Sequence, residues 1–187
     1  MLRALSGMVR ELTGAILGLA FLIPAPVSAQ GRRAVVFGEA GRATLGHADS
    51  EQGRAPIFGG GLAFHLTPHL VIEGDVHSGR VAHVFGRRHH EFTELTLTGS
   101  LLYRAPSAGR IHFIVGGGLA LQRAHTIVDE PSFGHLDEVE RLRLLHARVG
   151  ADWDVARRIV IRTDAVAWMG DGLDWVVGGR VGLGYRF

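Results

Sequence analysis

The chain has 187 residues, room for one domain of ordinary size. Its 20 basic residues are all arginine and are matched by 18 acidic ones, so the formal charge is only +2 and no nucleic-acid-binding patch is implied. Cysteine is absent, which excludes disulfides, thiolate chemistry and cysteine-ligated zinc.

The chain opens with a targeting pattern over residues 1–29. Arg3 and Arg10 supply a positive region, Leu12 to Ile23 an apolar run, and Val27-Ser28-Ala29 a cleavage site before Gln30. The run is short of the roughly 20 residues a spanning helix needs, so a cleaved signal peptide is expected, followed by one domain over 30–187.

From Gly31 onward the patterning has a period of two, the signature of strands. Arg33 to Gly46 is the first strand, its facing unsettled because Glu39 and Arg42 fall on opposite faces. Residues 47–56 read as a loop. Ile57 to Leu66 sets Phe58, Leu62, Phe64 and Leu66 against Gly59, Gly61, Ala63 and His65. After the turn at 67–69, Leu70 to Gly79 sets Leu70, Ile72 and Val76 against Glu73, Asp75 and His77. A longer loop is expected over 80–91. Phe92 to Arg104 opposes Leu95, Leu97, Leu101 and Tyr103 to Glu94, Thr96, Thr98 and Ser100.

Following a turn at 105–109, Arg110 to Arg123 carries Ile111, Phe113, Val115, Leu119 and Leu121 on one face, and residues 124–138 read as the longest loop. Val139 to Val155 alternates Leu145, Val149 and Trp153 with His146, Arg148 and Asp152. After a turn at 156–158, Ile159 to Met169 alternates Ile161 and Ala165 with Arg162 and Asp164. The last strand, Trp175 to Phe187, has Val177, Val181, Leu183, Tyr185 and Phe187 on its apolar face and Gly178, Arg180, Gly182 and Gly184 on the other.

Eight strands of mostly 10 to 14 residues exceed the ordinary mean of about 5 to 6 and match the roughly 9 to 11 that a tilted membrane strand requires. Short and long connections alternate, as in outer-membrane barrels with short periplasmic turns and longer outward loops. The polar faces mix Gly, Ala, Ser and Thr with charges of both signs, which suits a cramped interior. The apolar faces carry aromatics towards strand ends, which suits lipid. The expected fold is therefore all-β, an eight-stranded antiparallel up-and-down transmembrane β-barrel.

Register sharpens the interior. A tight last hairpin puts Asp164 opposite Arg180, and the turn at 156–158 puts either Asp152 opposite Arg162 or Arg148 opposite Asp164. Buried charges persist when paired, so an internal network of Arg148, Asp152, Arg162, Asp164 and Arg180 is expected, with Glu73, Asp75 and Glu94 on the far wall. Trp168 has interior parity, and a bulge that turns it outward is expected.

The alternating final strand, the eight-strand pattern and the ending Tyr185-Arg186-Phe187 resemble the transmembrane domain of the OmpA type and the wider group of small bacterial outer-membrane β-barrel proteins, over about residues 31–187. The resemblance implies a monomer in a Gram-negative outer membrane, with Tyr185 and Phe187 in the segment read by the assembly machinery. No cofactor is implied. Eight strands enclose a lumen filled by side chains, so a wide pore is excluded and a non-enzymatic role, structural or loop-presenting, is expected.

The alternative is a lipid A acyl hydrolase or acyltransferase. His77, Ser78 and Asp75 supply suitable groups, but adjacent strand residues face opposite ways, so His77 and Ser78 do not meet. Besides membrane lipid, lipopolysaccharide phosphates are candidate partners for Arg80, Arg87, Arg88, Arg141 and Arg143. The loop histidines His83, His89, His90, His125 and His135 would hold a metal only if three or four converged, and no metal site is assigned.

Overall fold

The computed structural model describes residues 34–45, 53–85, 88–130, 134–170 and 173–187. The signal segment expected over 1–29 lies outside them. Eight strands occupy the described chain: β1 (Ala34–Leu45), β2 (Gly53–His65), β3 (Leu70–Phe85), β4 (Arg88–Arg104), β5 (Ile111–Glu130), β6 (Gly134–Asp154), β7 (Ile159–Gly170) and β8 (Leu173–Arg186). Each pairs antiparallel with its sequence neighbour, and β1 closes on β8 from Val35↔Arg186 to Ala43↔Gly178. Closure leaves no sheet edge, the condition for a sheet to cross hydrocarbon.

From β2 to β8 the apolar face points out. Phe113 and Leu119 are 67% and 69% exposed, and Phe58, Leu97, Val149, Val181 and Leu183 lie on the same outer surface. Water would make such a belt costly, whereas lipid solvates it. The opposite faces fill the lumen in three layers. Val35, Phe37, Ala63, Val71, Leu102 and Ile114 form an apolar plug at the end carrying the short turns. Ala43, Ala55, Ile57, Ala120, Leu142, Leu144, Val166 and Trp168 form a second plug towards the other end. Charged residues lie between. Strand β1 shows the order along its inward positions: Val35 and Phe37, then Glu39, then Ala43. This settles its facing: odd residues point in, and Arg42 points out.

Two expectations need correction. Of the residues assigned to loops at 47–56, 80–91 and 124–138, those described are strand: β2 begins at Gly53, β3 and β4 pair out to Phe85↔Arg88, and β5 and β6 pair out to Glu130↔Gly134. Backbone ladders need no apolar alternation, so pairing persists beyond the point where polar and apolar side chains stop alternating. Trp168 also stays inside, 7% exposed, paired with Val176. The irregularity falls after it, between Trp168 and Gly170, where a positive φ of 138° favours glycine.

Candidate functional site: a buried ion layer between two arginine rims

Strands β6, β7 and β8 set Arg148, Arg162 and Arg180 on the inner wall, and β1 and β3 face them with Glu39, Glu73, Asp75 and His77. The register gives Asp152↔Arg162 and Asp164↔Arg180 as direct cross-strand pairs. Arg162 grips Asp152 with Nε at 2.6 Å and Nη2 at 3.1 Å. Arg180 holds Asp164 with Nε at 2.8 Å. Arg148 reaches Asp164 diagonally, with Nε at 2.8 Å and Nη2 at 2.5 Å.

Contacts across the lumen join the two walls. Glu73 accepts from both Arg148 and Arg162. Arg148 also lies 3.3 Å from Glu39 and 3.5 Å from Asp75. Arg180 lies 3.1 Å from Glu39. His77 bridges two acids, Nε2 at 2.9 Å from Glu39 and Nδ1 at 3.0 Å from Asp75. Asp75 further accepts from Thr98, and the Arg162 guanidinium stacks 4.9 Å over Phe37 at the margin of the lower plug. Forked guanidinium–carboxylate geometry is the arrangement in which buried charges are best compensated.

Of the residues nominated from sequence, seven meet here: Glu73, Asp75, Arg148, Asp152, Arg162, Asp164 and Arg180. Glu94 does not join them, taking Gln122 Nε2 as its partner instead. Two members were missed. Glu39 was obscured by the unsettled facing of β1, and His77 was weighed only as a catalytic base.

Room for this layer comes from glycines on adjacent strands. A Cβ on Gly150 would strike the Thr163 carbonyl oxygen and lie 2.6 Å from Asp164 Cβ, so glycine lets β6 and β7 approach beneath the carboxylate.

His77 and Ser78 diverge. The imidazole is buried in the ion layer, whereas Ser78 lies on the outer wall and its hydroxyl donates to the Glu94 carbonyl at 3.1 Å. Nucleophile and base therefore lie on opposite sides of the sheet. Among the described residues no three or more His, Asp or Glu side chains converge as metal ligands. His125 pairs with Asp137 at 2.7 Å and His135 with Asp129 at 2.5 Å, both on the exposed β5–β6 hairpin. The side chains of His83, His89, His90, Arg87 and Arg88 lie outside the described ones.

Outside the lumen, arginines collect at both ends of the apolar belt. Towards the long hairpins Arg42, Arg80, Arg123, Arg141 and Arg143 are outward and exposed. Arg80 donates to Glu91 at 2.7 Å. Arg123 and Arg141 are direct cross-strand partners, a like-charge pairing that is destabilising without an anion nearby. At the end with the short turns, Asp154 receives Arg186 at 2.6 Å and both Arg104 and His112 at 3.5 Å. There Arg158 Nη1 donates to the Tyr185 hydroxyl at 2.8 Å, and Tyr185 meets the Phe187 ring edge-to-face at 5.1 Å.

No protein-family model matches the chain, and no curated protein matches it in sequence. Solved structures do. Ail, the attachment invasion locus protein of Yersinia pestis, superposes with a TM-score of 0.64 at 12% identity, over 84% of this chain and 100% of that one. Neisserial surface protein A gives 0.63 at 14% identity over 82% and 97%, and the N-terminal β-barrel domain of Pseudomonas aeruginosa OprF gives 0.55 at 18% over 84% and 100%. The fold is that of the small eight-stranded outer-membrane β-barrels of the OmpA type, and the apolar outer belt fits that class.

Proposed function

We propose that the protein is a monomeric, non-enzymatic outer-membrane barrel. It conducts no ions through its lumen and displays the β3–β4 and β5–β6 hairpins at the cell surface. One observation carries this reading: an ion layer filled by its own counter-charges lies between two apolar plugs. Such a lumen offers neither a water column nor a lipid-accessible catalytic group.

The outward arginines Arg80, Arg141 and Arg143, with Arg123 and Arg42 beside them in level, suit the phosphates of lipopolysaccharide, since guanidinium forks match phosphate oxygens. The Arg123–Arg141 juxtaposition supports this, because an anion relieves it. A structure of Ail in complex with the heparin analogue sucrose octasulfate shows that a barrel of this fold engages a polyanion. Tyr185 and Phe187, outward on the last strand, are offered as the segment the assembly machinery reads, and residues 1–29 as the export signal.

Three measurements test this reading. Planar-bilayer recordings are expected to show no steady conductance above baseline. Lipid A mass spectra with and without expression are expected to be identical. Lipopolysaccharide retention in detergent should drop in an Arg123→Gln/Arg141→Gln variant. A stable open level, or a change in lipid A acyl number, would overturn the sealed, non-catalytic assignment.

A further inference from the structure

The end carrying the short turns has a charge asymmetry that the lumen does not use. Arg104, Arg110, Arg157, Arg158 and Arg186 lie there; Asp154 pairs with Arg104 and Arg186, and Asp152, which also acts on Arg104, is already held by Arg162 in the lumen. Asp154 is shared among Arg186, Arg104 and His112, so one carboxylate serves three cationic or protonatable groups. Arg110, Arg157 and Arg158 stand exposed on the turns beyond it.

Position selects the occupant. Arg158 folds back on the outer wall: its guanidinium donates to Tyr185 and lies 5.9 Å from the Tyr185 ring centroid. Trp153 and Phe187 are outward and exposed at the same end. Amphipathic aromatics of this kind settle at headgroup level, so the arginine beside them faces sideways into the headgroup layer and not along the barrel axis into the periplasm. From this geometry we infer that the turns at 105–110 and 155–158 form a binding rim for the phosphates of anionic phospholipids in the periplasmic leaflet. The rim anchors the barrel at the leaflet opposite the one contacted by Arg123 and Arg141.

The test uses the refolded barrel in detergent with short-chain phosphatidylglycerol, phosphatidylcholine or inorganic phosphate added, read by native mass spectrometry. Wild type should retain phosphatidylglycerol over phosphatidylcholine by ~5-fold or more per engaged arginine. Inorganic phosphate should not displace it at equal concentration, because the lipid is also held by its chains. Arg110→Gln/Arg157→Gln/Arg158→Gln should abolish the preference, and Arg123→Gln/Arg141→Gln should keep it. Heat-modifiable gel migration confirms folding, and Arg158→Gln alone, expected to reduce the preference, serves if the triple variant does not fold. Equal retention of the two lipids, an undiminished preference in the rim variants, or full displacement by inorganic phosphate would each overturn the inference. So would rim-dependent co-sedimentation with peptidoglycan sacculi without any lipid preference, which would assign the arginines to a cell-wall partner.

Discussion

Arg148 makes more contacts than any other ion in the lumen, yet its loss should cost less than the loss of Arg162. Replacing Arg148 by methionine removes a donor to Asp164, Glu73 and Glu39, with Asp75 at the edge of reach. Each of those carboxylates keeps another partner: Asp164 and Glu39 keep Arg180, Glu73 keeps Arg162, and Asp75 keeps His77 and Thr98. Arg162→Met is different, because Arg162 is the only ion-pair partner of Asp152 among the described residues.

Removing one side of a buried pair costs about 3–5 kcal/mol, chiefly through the charge left behind. Arg148→Met belongs near the low end, about 3 kcal/mol, and Arg162→Met near the high end, about 5 kcal/mol. Equilibrium urea unfolding in lipid vesicles, followed by tryptophan fluorescence and heat-modifiable migration, measures both. Adding Asp152→Asn to Arg162→Met removes the orphaned charge and should recover about 2 kcal/mol. If Arg148→Met proves the more damaging, or Asp152→Asn restores nothing, stranded charge is not what governs the stability of this lumen.

Other outcomes follow from the same structure. Gly150→Ala should destabilise by about 1–3 kcal/mol, because its methyl group meets the β7 backbone. Gly99→Ala, where nothing lies within 4 Å, should be neutral within about 0.5 kcal/mol in the same urea series. On the exposed β5–β6 hairpin, the Asp129 carboxylate raises the pKa of His135 above the ordinary 6.5. The charged pair is therefore fully formed below the unfolded-state pKa and is lost as pH rises through the raised value. An NMR titration of His135 should give a midpoint above 6.5 that falls back in Asp129→Asn, and an unchanged midpoint would show that the pair does not form. Trp168→Phe should cost under about 1 kcal/mol, since the buried indole N–H has no hydrogen-bond partner among the described residues to lose.

Period-two alternation in the sequence determined that the chain forms strands, that there are eight, and that Leu97, Phe113, Val149 and Leu183 share the outward face. A strand side chain has only two directions available, so one face fixes the other. Turn length and opposite charges also made the Asp164–Arg180 register legible and narrowed the β6–β7 hairpin to two registers, of which the structure takes Asp152–Arg162, because cross-strand neighbours are local. Tertiary structure alone decided what lies across the lumen. Glu73 on β3 joins Arg148 and Arg162 from the opposite wall, Glu39 and His77 enter the same layer, and Glu94 turns to Gln122. Which inward groups share a level depends on barrel closure and strand stagger, set by the β1–β8 pairing between chain ends and by no neighbouring residues. The strand extensions over 80–85 and 124–130 were hidden for a related reason. Over these residues polar and apolar side chains no longer alternate with a period of two, while hydrogen-bonded pairing continues.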